Sequence, residues 1–195
     1  MTADPLTPPV GRSGAVRAFE VRALSAVQRT VGPPPVVRVA RGMSLFGEHA
    51  AGWLAIGATG ALLDRARRRE WLVATAGVAF AHGASVGVKR VVRRPRPHDP
   101  AVQVRVGTPS RLSFPSAHAT STTAAAVLFG ALLQRPLVAV VVPPMALSRL
   151  VLGVHYPSDV VAGSLLGAAV AAMARRAATS GAATSRAPRT RRKSR

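Results

Sequence analysis

No cysteine occurs in the 195 residues. Disulfides, thiolate nucleophiles and cysteine-ligated zinc are therefore excluded, and cysteine usage gives no sign of redox compartment. Aromatic residues make up only 4%, so the 48% hydrophobic content is carried mainly by Ala, Val and Leu. Acidic residues are scarce as well: 7 Asp and Glu stand against 27 Lys and Arg, a formal net charge of +20. That imbalance suits a polyanionic partner, which could be nucleic acid, an anionic membrane surface or a phosphorylated substrate. The N-terminus has no early apolar run, and no cleavable signal peptide is expected. Strand-type alternation and internal repeats are also missing.

Long apolar blocks, set apart from the basic ones, are present. They cover 43–63, 71–92, 119–134, 136–154 and 157–174. A span needs about 20 apolar residues to cross a hydrocarbon core of about 30 Å. The first two blocks meet that length, and the others meet it if flanking residues extend their helices. Five such blocks predict an all-α, integral-membrane helical bundle of about five transmembrane helices, because the bilayer requires backbone groups to be paired internally. Ahead of them, residues 15–31 read as a basic amphipathic helix within a 15–42 interfacial segment. Val16, Phe19, Ala23, Ala26 and Val27 fall near one face, and Gly32 with Pro33 to Pro35 ends the helix. Such a helix can lie in the membrane interface or pack on the protein's own surface. The membrane domain is expected over 43–174, with 1–14 and the basic tail 175–195 disordered. The tail suits anionic lipid or, as the other reading, nucleic acid; no nucleic-acid role is assigned.

Three polar clusters interrupt the apolar blocks. They are Lys89 to Pro97 after the second block, Ser113 to His118 before the third, and Ser148-Arg149 with His155 to Asp159 between the fourth and fifth. If consecutive spans alternate in direction, all three clusters meet at one membrane face. Their chemistry converges too. Lys89, Arg96 and Arg149 are cations able to hold a dianionic phosphate. Ser116 sits where a helix would begin, so the amides of Ala117 and His118 can bind anionic oxygens. His118 and His155 offer an acid and a nucleophile. Asp159, four residues after His155, can accept its second ring N–H and fix the tautomer.

The pattern K-x6-R-P, P-S-x-H and S-R-x5-H-x3-D resembles the type 2 phosphatidic acid phosphatase family, which also includes vanadium-dependent haloperoxidases. It is carried by Lys89, Arg96-Pro97, Pro115-Ser116-Ala117-His118, Ser148-Arg149, His155 and Asp159, and it covers roughly 43–174. The resemblance implies a lipid-phosphate phosphatase that needs no metal and no other cofactor. In it His155 attacks phosphorus to form a phosphohistidine and Asp159 orients the ring. His118 protonates the leaving oxygen and then activates water. Lys89, Arg96, Ser116, Ala117 and Arg149 bind the phosphoryl oxygens. One departure is Ala117, where the family usually has Gly; an alanine amide still donates if the backbone there is helical.

The GEH, DRARRREW and GVKRVVRRPRP segments are similar to actinobacterial members acting on decaprenylphosphoryl-5-phosphoribose. The expected partners are thus a polyprenyl-linked lipid-phosphate substrate and a bilayer with anionic lipids; oligomeric state is left open. Undecaprenyl-diphosphate or phosphatidylglycerophosphate phosphatase, and a non-catalytic binder of anionic lipid, are the alternatives. His49 and His82 read as hydrogen-bonded core groups, and Arg90, Arg93 and Arg94 as interfacial cations meeting headgroups. His98 and Asp99 sit where they could line the site mouth. Pro143 and Pro144 should kink the fourth span. The Arg65–Arg69 loop lies at the end opposite the clusters and belongs in the cytoplasm, which puts the site at the outer face of a multi-pass plasma-membrane protein.

Overall fold

The computed structural model describes residues 12–185, with side chains from 14 to 178. Seven α-helices run in the order α1 Arg12–Val31, α2 Pro34–Gly47, α3 Ala51–Leu63, α4 Arg68–Val92, α5 Ala117–Leu133, α6 Leu137–Val151 and α7 Pro157–Ser185. Among the described residues no β-strand forms; one isolated bridge pairs Pro95 with Leu112. Two stretches, Arg65–Val92 and Pro157–Ala178, are long and apolar enough to cross a membrane, while α5 and α6 are shorter apolar helices.

The α5 helix is the hub. It packs on α4, α6 and α7, and every residue from Ala119 to Ala126 is buried. Its composition suits that place, since Ala, Ser, Thr and Gly let neighbouring helices approach closely. The closest approach is α7. A Cβ on Gly163 would lie 2.5 Å from the Ser116 carbonyl oxygen, and one on Gly167 would lie 2.2 Å from that of Thr120. Away from the three polar clusters, Trp53, Trp71, Phe129, Val78 and Val170 form the main apolar core. Trp53 Nε1 donates to Thr122 Oγ1 at 3.0 Å, so the indole is buried with its polar atom paired.

Three expectations are corrected here. The block 43–63 is not one span: α2 ends at Gly47, and His49 and Ala50 turn the chain through positive φ values of 49° and 60° before α3 starts. Neither residue is glycine, so the left-handed turn carries a steric cost of about 1 kcal/mol per residue. Fully buried Ala50 holds the turn in place through its packing. Second, α1 buries Glu20, Val21, Leu24, Ser25 and Gln28, not the face built on Val16 and Phe19, which stays exposed. Third, helix begins at Arg12 and α7 continues to Ser185, so 12–14 and 175–185 are helical; the remaining expected disorder lies outside the described residues.

The helix α1 rests on α6 and α7. Val21 and Leu24 meet Val102 and Tyr156, and Gln28 ties the loop after α4 to the end of α6 by donating to the Gln103 and Val151 carbonyls at 2.7 and 3.1 Å. Pro143 and Pro144 lie inside a continuous α6.

Candidate active site

Lys89 is in the last turn of α4 and 7% exposed. Its Nζ donates to the carbonyls of Leu112, Ser113 and Pro115 at 3.3, 2.9 and 2.6 Å. All three ammonium protons therefore hold the strand of chain that leads into α5. Arg96 lies on the loop beyond α4. Its Nε donates to the Ser110 carbonyl at 2.8 Å and its Nη1 to the Val154 carbonyl at 2.6 Å.

Ser116 caps α5, its Oγ accepting from the Ala119 amide at 3.4 Å. The first-turn amides of Ala117 and His118 consequently have no acceptor within the helix and can meet anionic oxygens. The Ser116 amide donates to the Asp159 carbonyl at 2.9 Å, tying the start of α5 to the start of α7. Just before α7, His155 is 2% exposed, and Asp159 in the first turn is fully buried. His155 Nε2 lies 3.2 Å from Arg96 Nη1, and its Nδ1 faces Asp159 Oδ2 at 3.5 Å. In a neutral ring this arrangement favours the proton on Nδ1 and leaves the Nε2 lone pair toward the cation.

The remaining two residues are held by α2. His118 Nε2 is 2.9 Å from the Ser44 carbonyl. Arg149, 1% exposed, donates from Nη1 to Ser44 Oγ at 3.1 Å and from Nε to Ser148 Oγ at 3.1 Å. His118 is within electrostatic reach of Arg149, His155 and Arg96. All eight residues singled out in the sequence thus collect at one end of the bundle, at the ends of α4, α5, α6 and α7.

The electrostatics favour a dianion. Among the described residues, Lys89, Arg96 and Arg149 bond to carbonyls, hydroxyls or the imidazole but form no ion pair with a carboxylate. Asp159 offsets only part of this charge, and the remainder is costly unless an anion binds. Burial pushes Arg96 down to about 10, opposed by Asp159, so the guanidinium remains charged at neutral pH. Burial likewise pushes His155 down to about 3, with Arg96 and Lys89 adding to the effect and Asp159 opposing it. The ring is therefore a free base at neutral pH.

Other sequence readings fare differently. Arg90 and Arg93 are exposed at the end of α4, but Arg94 turns inward. It pairs with Glu20 and with Asp159 Oδ1, the latter at 2.8 Å, and it stacks 4.2 Å from the Tyr156 ring centroid. It is therefore no headgroup cation. His49 is exposed, and half-buried His82 has an Nδ1 without a hydrogen-bond partner, so neither is a satisfied core group. Asp99 accepts from the Ala101 amide at 2.9 Å and closes a turn.

Residues the sequence reading missed are Ser44 and Gly47 on α2 and Glu20 on α1, and it misplaced Arg94. A Cβ on Gly47 would come within 2.6 Å of His118 Cδ2, so a residue without a side chain is needed there. Glu20 did leave a signal, as the lone acid in an otherwise basic helix.

Residues 49–180 match the PAP2 superfamily. The chain belongs to that family. Decaprenylphosphoryl-5-phosphoribose phosphatase of Mycobacterium tuberculosis (strains CDC 1551 / Oshkosh and H37Rv) is 58% identical over 155 residues, 79% of this chain and 88% of the relative. The protein of the same name from Mycolicibacterium smegmatis is 62% identical over 141 residues, 72% of this chain and 78% of the relative. Among solved structures, a transmembrane PAP2 type phosphatidylglycerolphosphate phosphatase from Bacillus subtilis superposes with a TM-score of 0.70. It covers 91% of this chain and 90% of its own, at 20% identity, and so shares the fold. This PAP2 protein is a membrane lipid-phosphate phosphatase.

Proposed function

We propose that this PAP2 phosphatase hydrolyses the terminal phosphomonoester of a polyprenyl-linked phosphosugar, decaprenylphosphoryl-5-phosphoribose being the substrate that its relatives' names suggest. The observation that carries the chemistry is the setting of His155, with Nε2 toward Arg96 and Nδ1 toward Asp159.

In the first step the Nε2 lone pair attacks phosphorus and the P–O bond to the sugar breaks. Burial, with the Arg149 charge adding to it, pushes the His118 ring down to about 3 in the free protein, so it takes up a proton only beside the bound phosphate and then gives it to the departing alkoxide, which leaves as an alcohol. The Ser44 carbonyl takes His118 Nε2–H, which leaves Nδ1 as the atom that delivers the proton. In the second step neutral His118 takes a proton from water, the resulting hydroxide attacks phosphorus, and the P–N bond breaks to release phosphate and free His155. Asp159 balances the charge that the His155 ring carries between the steps. Arg96, Arg149, Ser116 and the Ala117 amide stabilise the phosphoryl oxygens, and Lys89, its protons held by carbonyls, adds its charge. Apart from any ligand, Lys89 already holds the segment that places Ser116.

The exposed Arg65–Arg69 loop lies at the end opposite the site. With basic loops retained in the cytoplasm, the site opens at the outer face of the plasma membrane, and the exposed basic residues meet anionic lipid. The deciding experiment is phosphate release by detergent-purified protein from decaprenylphosphoryl-5-phosphoribose, undecaprenyl diphosphate, phosphatidylglycerophosphate and phosphatidic acid in excess EDTA. Release by the wild type and none by His155→Ala supports the mechanism, and the best substrate identifies the specificity. Equal release by both proteins sinks it.

A further inference from the structure

The two phosphoryl-transfer steps leave two inward charges without a role, Glu20 and Arg94. Glu20 is 5% exposed and lies on α1, outside the 49–180 stretch that matches the family. Its Oε2 accepts from Arg94 Nη2, and its Oε1 accepts from the Ser158 hydroxyl and, at 3.2 Å, from the Ser158 amide. Arg94 Nη1 spans Ser158 Oγ at 2.7 Å and Asp159 Oδ1 at 2.8 Å. On its other oxygen, Asp159 accepts from the Tyr156 amide at 2.8 Å and faces His155 Nδ1.

Each Asp159 oxygen is therefore anchored from a different direction. These contacts orient the carboxylate plane and turn Oδ2 toward the His155 ring, 3.5 Å from Nδ1. Charge arithmetic gives a second reason for the chain of contacts. Glu20, Arg94 and Asp159 together carry −1, and His155 is neutral at rest. When the ring becomes positive on taking the phosphoryl group this set reaches zero, the charges of Arg96 and Lys89 being met by the phosphoryl oxygens. Without Glu20 the same set would go from zero to +1, with Arg94 drawing on the carboxylate that the ring needs.

We propose that Glu20 is a positioning residue for the reaction, acting through Arg94 to fix Asp159 and to keep its charge for the His155 ring. The amphipathic N-terminal helix is then part of the active-site machinery, and its polar face, not its apolar one, does the docking. The proposal rests on the phosphohistidine reading given above.

The test compares wild type, Glu20→Gln, Arg94→Gln and the double variant, with exposed Arg90→Gln as a control. Glu20→Gln and Arg94→Gln should each lower kcat by about 10- to 100-fold with KM within about twofold, as expected when a proton-bearing group loses its orientation. The double variant should be no slower than the slower single, because both act on one carboxylate. Additive losses, an unchanged kcat, or a raised KM with kcat intact would overturn the proposal, the last by placing Arg94 on the substrate. A readout free of turnover is the 15N spectrum of histidine-labelled protein in detergent. Wild-type His155 should show a single Nδ1–H tautomer and both single variants a mixture; identical spectra would overturn the proposal. Should Glu20→Gln fail to fold, Glu20→Asp, which keeps the charge but shortens the reach, is read the same way. Wild-type protein inactive on every lipid phosphate would sink the phosphatase reading alone, and the tautomer spectra would still decide the positioning role.

Discussion

The Ser116 amide donates to the Asp159 backbone carbonyl at 2.9 Å, so the first turn of α5 and the first turn of α7 are tied together. That bond exists because Gly163 lets α7 lie directly against the Ser116 backbone, where a Cβ would sit 2.5 Å from the carbonyl oxygen.

Gly163→Ala should therefore separate the two helices. The clash is with backbone, which cannot rotate away, and overpacking of this kind costs about 1–3 kcal/mol. The expected result is a lower melting temperature in detergent together with a fall in kcat. Gly42, which has open space around it, serves as the comparison: Gly42→Ala should change neither.

Gly47→Ala tests the placement of His118. The added methyl would press on His118 Cδ2, 2.6 Å away, and shift the ring from the Ser44 carbonyl. Loss of a well-placed acid–base group is worth about 10²–10⁴-fold in rate. A displaced ring should keep part of that, so a kcat reduced by about 10-fold or more, with KM little changed, is expected in steady-state phosphate release.

Lys89→Arg should not be conservative. The compact ammonium satisfies three carbonyls converging on one point, at 2.6 to 3.3 Å, and a planar guanidinium has no matching geometry. Buried carbonyls left without donors cost about 1–3 kcal/mol each. Lower thermal stability and loss of phosphate release should appear together, whereas an exposed neighbour such as Arg90→Lys should show neither.

His155 makes stability depend on pH in a defined window. Its folded-state value, about 3, lies below the usual histidine value of 6.5 because the ring is buried. The folded protein therefore prefers the neutral ring, and the unfolded chain binds the proton first. The stabilisation is fully present above pH 6.5 and is lost progressively as pH falls from there toward 3. Thermal unfolding of wild type and His155→Gln across that range should show a steeper acid decline for the wild type; parallel curves would count against a buried neutral ring.

How much of this was legible in the sequence follows from the range of the interactions involved. Lys89, Arg96, Ser116, His118, Arg149, His155 and Asp159 could be picked out because their motifs are short and sit at predicted helix ends, where free N–H groups at an N-terminus can bind anions. The alternation of the four later apolar blocks, α4 to α7, was enough to bring the three polar clusters to one end of the bundle. Arg94 was misjudged because it sits in a run of cations with identical local context, and only its distant partners tell it from Arg90 and Arg93.

Composition and spacing by themselves determined a helical membrane protein with its cationic and histidine clusters at one end, since bilayer thickness and backbone pairing leave few other ways to fold such apolar blocks. Tertiary structure decided the rest. It broke the first block at His49 and Ala50, brought the Ser44 carbonyl to His118, and carried Glu20 across 138 positions of sequence to Ser158. Those choices depend on which surfaces meet, and periodicity along the chain records only which residues share a helix face, not what that face will touch.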